Sequence, residues 1–203
     1  ILSIVSTSAL DGVAGAGIQT IVLAGLDANL DAQTEIVTTN GTTPVLTIGS
    51  WRALNTAFAV SGGVNGAGAS GDITVISVND GTQWSKFLVG DTSGPTGRYT
   101  VPRLHQFSLH AVNFNAGAGG DATIQIPIQD GAGYQFSVGG EVFIGGGIVN
   151  VLSGNFGTFL NGGTTIFFRA FSNSGNPFQR RVGATLVGIV GLTTDWDAYK
   201  INP

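Results

Sequence analysis

The chain has no cysteine and no methionine, only two histidines and six prolines, and charge on just 10% of its 203 residues. Without cysteine there is no disulfide framework, no thiolate metal site and no thiolate nucleophile. The scarcity of charge excludes more. Soluble domains carry about 25% charged residues, so this chain has too little polar surface to live comfortably alone. Permanent burial against neighbouring copies resolves that, because an obligate interface resembles a core cut in half. An assembly subunit is expected. A long hydrophobic run is also missing: the longest, residues 182–192, is interrupted by Gly183, Gly188 and Gly191 and falls short of the roughly 20 residues a membrane helix needs. A transmembrane barrel stays open in principle because its strands alternate and read weakly, but it would want aromatic girdles on many even strands that this sequence does not let one count; no membrane partner is expected. The net charge is −4, and Asp11, Asp27, Asp31 and Glu35 all precede the first basic residue, Arg52. Nucleic-acid binding needs a basic stripe to neutralise phosphates, so no nucleic-acid partner is expected. Without an initiator methionine, Ile1 is expected to follow something removed or left out, and no positively charged leader precedes an apolar stretch.

What is present is glycine, 33 residues of it, with 42% hydrophobic residues and a positive mean hydropathy. That apolar content excludes disorder and suffices for a core at this length. Helical periodicity appears nowhere over a useful length. Short β-rich runs at roughly 8–12-residue spacing, parted by Gly-rich turns, predict an all-β fold, an antiparallel β-sandwich of jelly-roll type. Residues 1–24 read as an N-terminal arm or edge strand, 25–192 as the sandwich domain and 193–203 as a short tail. Within the sandwich, Asn40-Gly41 is the strongest turn signal and predicts a hairpin between Ile36-Val37 and Val45-Leu46. Further strands are expected at 72–78, 84–89, 104–114 (with a mid-course irregularity), 134–138, 141–144, 148–152, 164–171 and 181–192. In 84–89, Trp84, Lys86 and Leu88 take one face, Phe87 and Val89 the other. Residues 67–75 and 116–124 align at a spacing of 49, which suggests a hairpin duplication, about 57–89 and 109–138, inside one sheet system.

Candidate chemistry is sparse. His105 and His110 lie five apart on an expected strand and point to opposite faces, so they share no ion unless a bulge intervenes. Asp27-Ala28-Asn29-Leu30-Asp31 opens like a calcium loop. Ala32 stands where an EF-hand needs Gly and Thr38 where it needs Glu, so an Asx-rich turn is the better reading. Asn40-Gly41-Thr42 is formally a glycosylation acceptor that the turn explains equally well. The Gly-rich run 66–71 lacks the Lys-Ser/Thr ending of a phosphate loop. No catalytic, cofactor or metal site is therefore expected, no small-molecule substrate, and no enzyme activity. Assembly contacts are expected instead from Ile1, Ile4 and Val5 of the arm, from the basic pair Arg180-Arg181, and from Trp196 and Tyr199, an aromatic pair stranded in a polar tail.

Short motifs add a resemblance. Gly25-Leu26-Asp27-Ala28-Asn29, then Thr34-Glu35-Ile36-Val37-Thr38 with Asn40-Gly41-Thr42-Thr43-Pro44-Val45, Gly71-Asp72-Ile73-Thr74-Val75 and Tyr99-Thr100-Val101-Pro102 follow in that order. The series resembles virion structural proteins of tailed bacteriophages and spans most of residues 23–190. It departs at Leu30, where the family has Trp, and at Pro102-Arg103-Leu104-His105, where the family continues with Pro-Ala-Gly-Lys. The resemblance implies a capsid decoration or cement protein on the outside of the virion, assembled in the host cytoplasm. Its partners would be further copies of itself, with a trimer the first symmetry to look for, and the major capsid protein or another virion protein. A neck, tail or head-fibre component is the nearest alternative. A carbohydrate-binding β-sandwich module using Trp84 or Tyr134 comes next, and a hydrolase is a distant third.

Overall fold

In a computed structural model, residues 1–62, 68–130, 135–137, 142–153, 159–172 and 182–192 are described; for 109–124, 135–137, 142–153, 169–172 and 182–192 the description is of backbone pairing. All regular structure among them is β, and every strand pairing whose register is described is antiparallel. The chain divides into two compact units, Ile1–Tyr99 and Thr100–Pro203, so the 25–192 segment expected as one domain runs across that division.

The first unit contains β1 (Leu2–Ser6), β2 (Ile18–Leu26), β3 (Ala32–Thr38), β4 (Val45–Leu46), β5 (Ala53–Gly62), β6 (Ile73–Ser77), β7 (Gln83–Phe87) and β8 (Ser93–Gly94). They form two four-stranded sheets, ordered β4-β1-β6-β7 and β3-β2-β5-β8. Alternation along each strand sends every second side chain inward. Leu2, Ile4, Ile73, Val75 and Phe87 from one sheet meet Ile21, Leu23, Val37, Leu54 and Ala57 from the other in one cluster, a sandwich-like arrangement.

Three local expectations change. β1 is not an arm. It lies between β4 and β6, with Leu2 and Ile4 buried, because the alternating apolar pattern of residues 2–6 matches the core face of a strand. Asn40-Gly41 does not close a hairpin. Gly41 takes a φ of +57° as a turn glycine should, but β3 pairs with β2 and β4 with β1, so this turn carries the chain from one sheet to the other. The hairpin is β2–β3, closed by the Asx turn at Asp27, whose Oδ1 accepts the amides of Asn29 at 2.8 Å and Asp31 at 2.9 Å. Finally, the strand expected over 84–89 ends at Phe87, and Leu88 to Gly90 turns away under a hydrogen bond from the Asp91 amide to the Leu88 carbonyl.

β9 (Arg98–Thr100) runs over the division between the units. Beyond it lie β10 (His105–Gln125), β11 (Pro127–Gln129), β12 (Gln135–Ser137), β13 (Val142–Ser153), β14 (Phe159–Asn161), β15 (Thr165–Phe167), β16 (Arg169–Ser172) and β17 (Val182–Leu192). Among the described residues β10 pairs with four strands. Phe107 pairs with both Leu160 and Val190, Ala111 with Ser153 and Val187, and Ala122 with Ile144 and Ser172. A strand residue has only two edges, so β14 and β13 occupy one edge of β10 in succession, and β17 and β16 the other. The expected irregularity is present: between Leu109 and Ala111 the register with β17 shifts, leaving His110 as the extra residue.

The strands expected at 141–144 and 148–152 are one, β13, with Gly145 to Gly147 inside it. The expected 164–171 is two, β15 and β16, in different sheets. Of the two segments in the suggested duplication, the first contains the antiparallel pair β6–β7 and the second the antiparallel pair β11–β12, while the aligned residues 73–75 and 122–124 fall in β6 and in β10. The two pairs lie in different units, and the second glycine-rich run is interior to β10 rather than a loop before a strand.

Candidate assembly surface

The first unit is tied together at Asp11. This carboxylate is fully buried and accepts four hydrogen bonds. Ser6 Oγ donates to Oδ2 at 2.6 Å, the Ile18 and Ser70 amides donate to Oδ1 at 2.9 Å each, and the Gly71 amide donates to Oδ2 at 2.9 Å. The Asp11 carbonyl also accepts the Gly41 amide. A buried carboxylate is tolerable only with its lone pairs satisfied in this way. Close approach explains the glycines around it: a Cβ on Gly17 would strike the Asp11 carboxylate and Ser70, and one on Gly71 would sit 2.6 Å from the Ser8 amide. The arrangement is structural, with every acceptor turned to the protein's own donors.

The outer face of β3-β2-β5-β8 is different. Val22 pairs with Ile36 on one side and Phe58 on the other, giving a cross-strand apolar row. Thr20 and Thr38 pair on one flank of it, and Thr34, Ala24 and Thr56 line up on the other. Ile36 is 67% exposed and Phe58 39%, while Val22 between them is 8% exposed and shielded by both. The face carries no charged residue.

The outer face of β4-β1-β6-β7 is more polar. Lys86 Nζ lies 2.8 Å from Asp72 Oδ2, and that hydrogen bond is the main reason the Asp72 carboxyl is held below its ordinary range. Asp80 is lowered likewise, chiefly by the Ser77 hydroxyl and then by the Thr82 amide. The Arg98 guanidinium lies 4.2 Å from the Trp84 ring centroid. Burial lowers the Arg98 pKa against the opposing charge of Asp80, and burial raises that of Tyr99. Trp84 also packs against the core cluster. With Arg98 over one face, it is no open platform for stacking a sugar.

Of the contacts expected from sequence, Ile1 is exposed, Val5 is half-buried on the outward face of β1, and Ile4 is 2% exposed and committed to the core of its own unit. Ile4 is thus corrected from contact to core, since position 4 shares the inward parity of Leu2. Arg180, Arg181, Trp196 and Tyr199, and with them Tyr134 and the tail, lie outside the described residues. His105 begins β10 with its Nδ1 buried and unpartnered among the described residues. Among those residues no three His, Asp or Glu side chains converge as metal ligands, and no helix is long and apolar enough to cross a membrane. Sequence reasoning missed the β3 edge, although Thr34-x-Ile36-x-Thr38 already shows the alternation that puts Ile36 outward. It also missed Asp11, whose partners lie as far as 60 positions away.

Comparison with protein-family models, with curated proteins and with solved structures found no match.

Proposed function

We propose that this chain is a structural assembly subunit, and specifically a virion protein of a tailed bacteriophage that decorates or cements the capsid shell as a homo-oligomer. The observation that carries the assembly reading is the charge-free outer face of β3-β2-β5-β8, with its exposed row Ile36-Val22-Phe58. A contiguous apolar surface of this kind marks an interaction site. The virion reading rests on the motif resemblance. Its segments fall on the Asp27 turn, the Asn40-Gly41 crossover, the start of β6 and the division between the units, all positions that serve architecture rather than chemistry. The finer architecture belongs to the same proposal: eight strands of Ile1–Tyr99 divide four and four between two sheets, the strand number of a jelly roll.

The mechanism is passive. Apolar faces bury against the shell or further copies at about 25 cal/mol per Å² of apolar area. Ordering costs consume much of this, so many weak contacts acting together matter more than one tight one. The test is the copy number of the chain per particle, by quantitative mass spectrometry against the major shell protein. Hundreds of copies are expected. A handful would place the chain at the neck, tail or a vertex fibre, and absence from particles would overturn the virion reading.

A further inference from the structure

We infer that β3 is a self-complementary edge through which two copies of this chain pair antiparallel about a two-fold axis at Ile36. Such pairing fuses two β3-β2-β5-β8 sheets into one continuous sheet.

The first unit has four sheet edges, and three are defended. β4 and β8 are two residues long, one preceded by Pro44 and the other followed by Pro95. β7 carries Lys86 and pairs with β6 through a register shift. Short strands, charged side chains, proline and bulges are the devices that keep edges from pairing. Of these β3 has only Glu35, an inward-parity carboxylate already engaged by the Ile48 and Gly49 amides. It runs seven residues without Lys, Arg or Pro, and its seven pairs with β2 follow without a shift.

Its outward backbone groups can be identified. At the two ends of the β2–β3 ladder, the Thr39 amide donates to the Gln19 carbonyl and the Asp27 amide to the Asp31 carbonyl, each at 2.9 Å. Antiparallel bonding alternates, so odd-numbered residues of β3 bond to β2 while Thr34, Ile36 and Thr38 direct their amides and carbonyls away from the sheet. All three are exposed, and no hydrogen bond to these groups is found among the described residues.

A second copy is the occupant because the edge is palindromic. About a two-fold axis at Ile36, Ile36 meets Ile36 and Thr34 meets Thr38 on the outer face, with no charge opposed to charge. The apolar row then continues through the axis from Phe58 of one copy to Phe58 of the other. Glu35 does not obstruct this: its two carboxylate oxygens accept the Ile48 and Gly49 amides at 2.7 and 3.0 Å. A three-fold arrangement on another surface is compatible with this contact. The inference deepens the assembly reading, but its test uses the purified chain, so it fails or stands apart from particle copy number.

The experiment is solution mass by light scattering for the full chain, for Ile36→Lys, and for Thr56→Lys on the same face but two strands further inside the sheet. A concentration-dependent dimer is expected for the parent and for Thr56→Lys, and a monomer for Ile36→Lys. A parent that stays monomeric up to about 1 mM, the weak end of specific association, overturns the inference. So does equal dissociation by both substitutions, or an oligomer that Ile36→Lys leaves intact. If Ile36→Lys does not fold, the absence of native cysteine allows Ile36→Cys and Thr56→Cys to be compared under mild oxidation. Paired residues at this position have Cα atoms about 5.5 Å apart, within disulfide reach. Cross-linking at position 36 at least ~10-fold faster than at position 56 is expected from the high effective concentration at the axis; equal rates overturn the inference.

Discussion

The carboxylate of Asp11 accepts the backbone amide of Gly71 at 2.9 Å, joining positions 60 residues apart in the chain. Through the same side chain and its own carbonyl, the segments around Ser6, Ile18, Gly41 and Ser70 converge on one residue. Both sheets of the first unit are therefore pinned at a polar point as well as through the apolar core.

Replacing Asp11 by Ala orphans the buried amides of Ile18 and Gly71, the part-buried amide of Ser70 and the Ser6 hydroxyl. The expected loss is on the order of 3–5 kcal/mol, since each abandoned buried donor carries its own desolvation cost. Asp11→Asn is expected to fall in the same direction, because its NH₂ group meets donors where an oxygen stood. Denaturant midpoints for the two variants check this; a loss below about 1 kcal/mol in both would contradict it.

Gly94 and Gly81 separate two kinds of glycine. A Cβ on Gly94 would strike Ser85 Oγ and lie 2.7 and 2.8 Å from ring carbons of the fully buried Phe87. Gly81 has a φ of +70° with nothing within 4 Å. Gly94→Ala is expected to cost about 1–3 kcal/mol by overpacking, and Gly81→Ala about 1–2 kcal/mol from backbone strain alone. Gly81→Asn should recover most of the latter, since Asn tolerates this conformation, while Gly94→Asn should be worse than Gly94→Ala. Thermal melts of the four variants test the distinction.

Burial raises the pKa of the Tyr99 phenol. The folded chain then holds that proton after the unfolded chain has released it. The associated stability is complete below about pH 10 and declines as pH climbs through the folded value. Absorbance titration should show a tyrosine ionising late, and Tyr99→Phe should remove that component. A Tyr99→Phe protein with an unchanged titration would refute the assignment.

Asp72 and Asp80 behave oppositely. Their carboxyls are lowered by Lys86 and by Ser77 respectively, so the stability they contribute is present above about pH 4 and is lost as pH falls through the folded values. Asp80 is exposed and Asp72 is half-buried at the surface, and screening keeps the step small. Asp80→Ala should flatten part of the acid limb of a midpoint-versus-pH curve, and added salt should shrink the contribution of Asp72 more than it affects the core.

The all-β class was legible because alternation and glycine-rich turns are local signals: β6, β7 and β17 lie close to the runs that predict them. Pairing was not legible. Residues 2–6 look like an arm until the partners at 45–46 and 73–77 are known, and Asn40-Gly41 makes a good turn whether its flanking strands pair or part. A turn glycine fixes φ but not which strand the next one joins. The same limit hid Asp11, which as a residue before glycine looks like an ordinary loop break. Ile4 reads as a contact residue from sequence because its strand's parity is set only by its partners. Ile36 stood in plain alternation, and only the lack of a neighbour beyond β3 gives it meaning.

Among the described residues, every partner strand of β10 is encoded after it. Emerging from the ribosome, this 21-residue strand has both edges bare until β13, β14, β16 and β17 follow. The last ends at Leu192, 67 residues beyond Gln125 (192 − 125), or roughly 3–13 s of synthesis at about 5–20 residues per second. Each strand of the first unit, by contrast, has all its partners within Ile1–Tyr99. That interval is the period when misassociation with neighbouring nascent chains is most favoured, and slowing elongation or crowding polysomes should lower soluble yield through the second unit first.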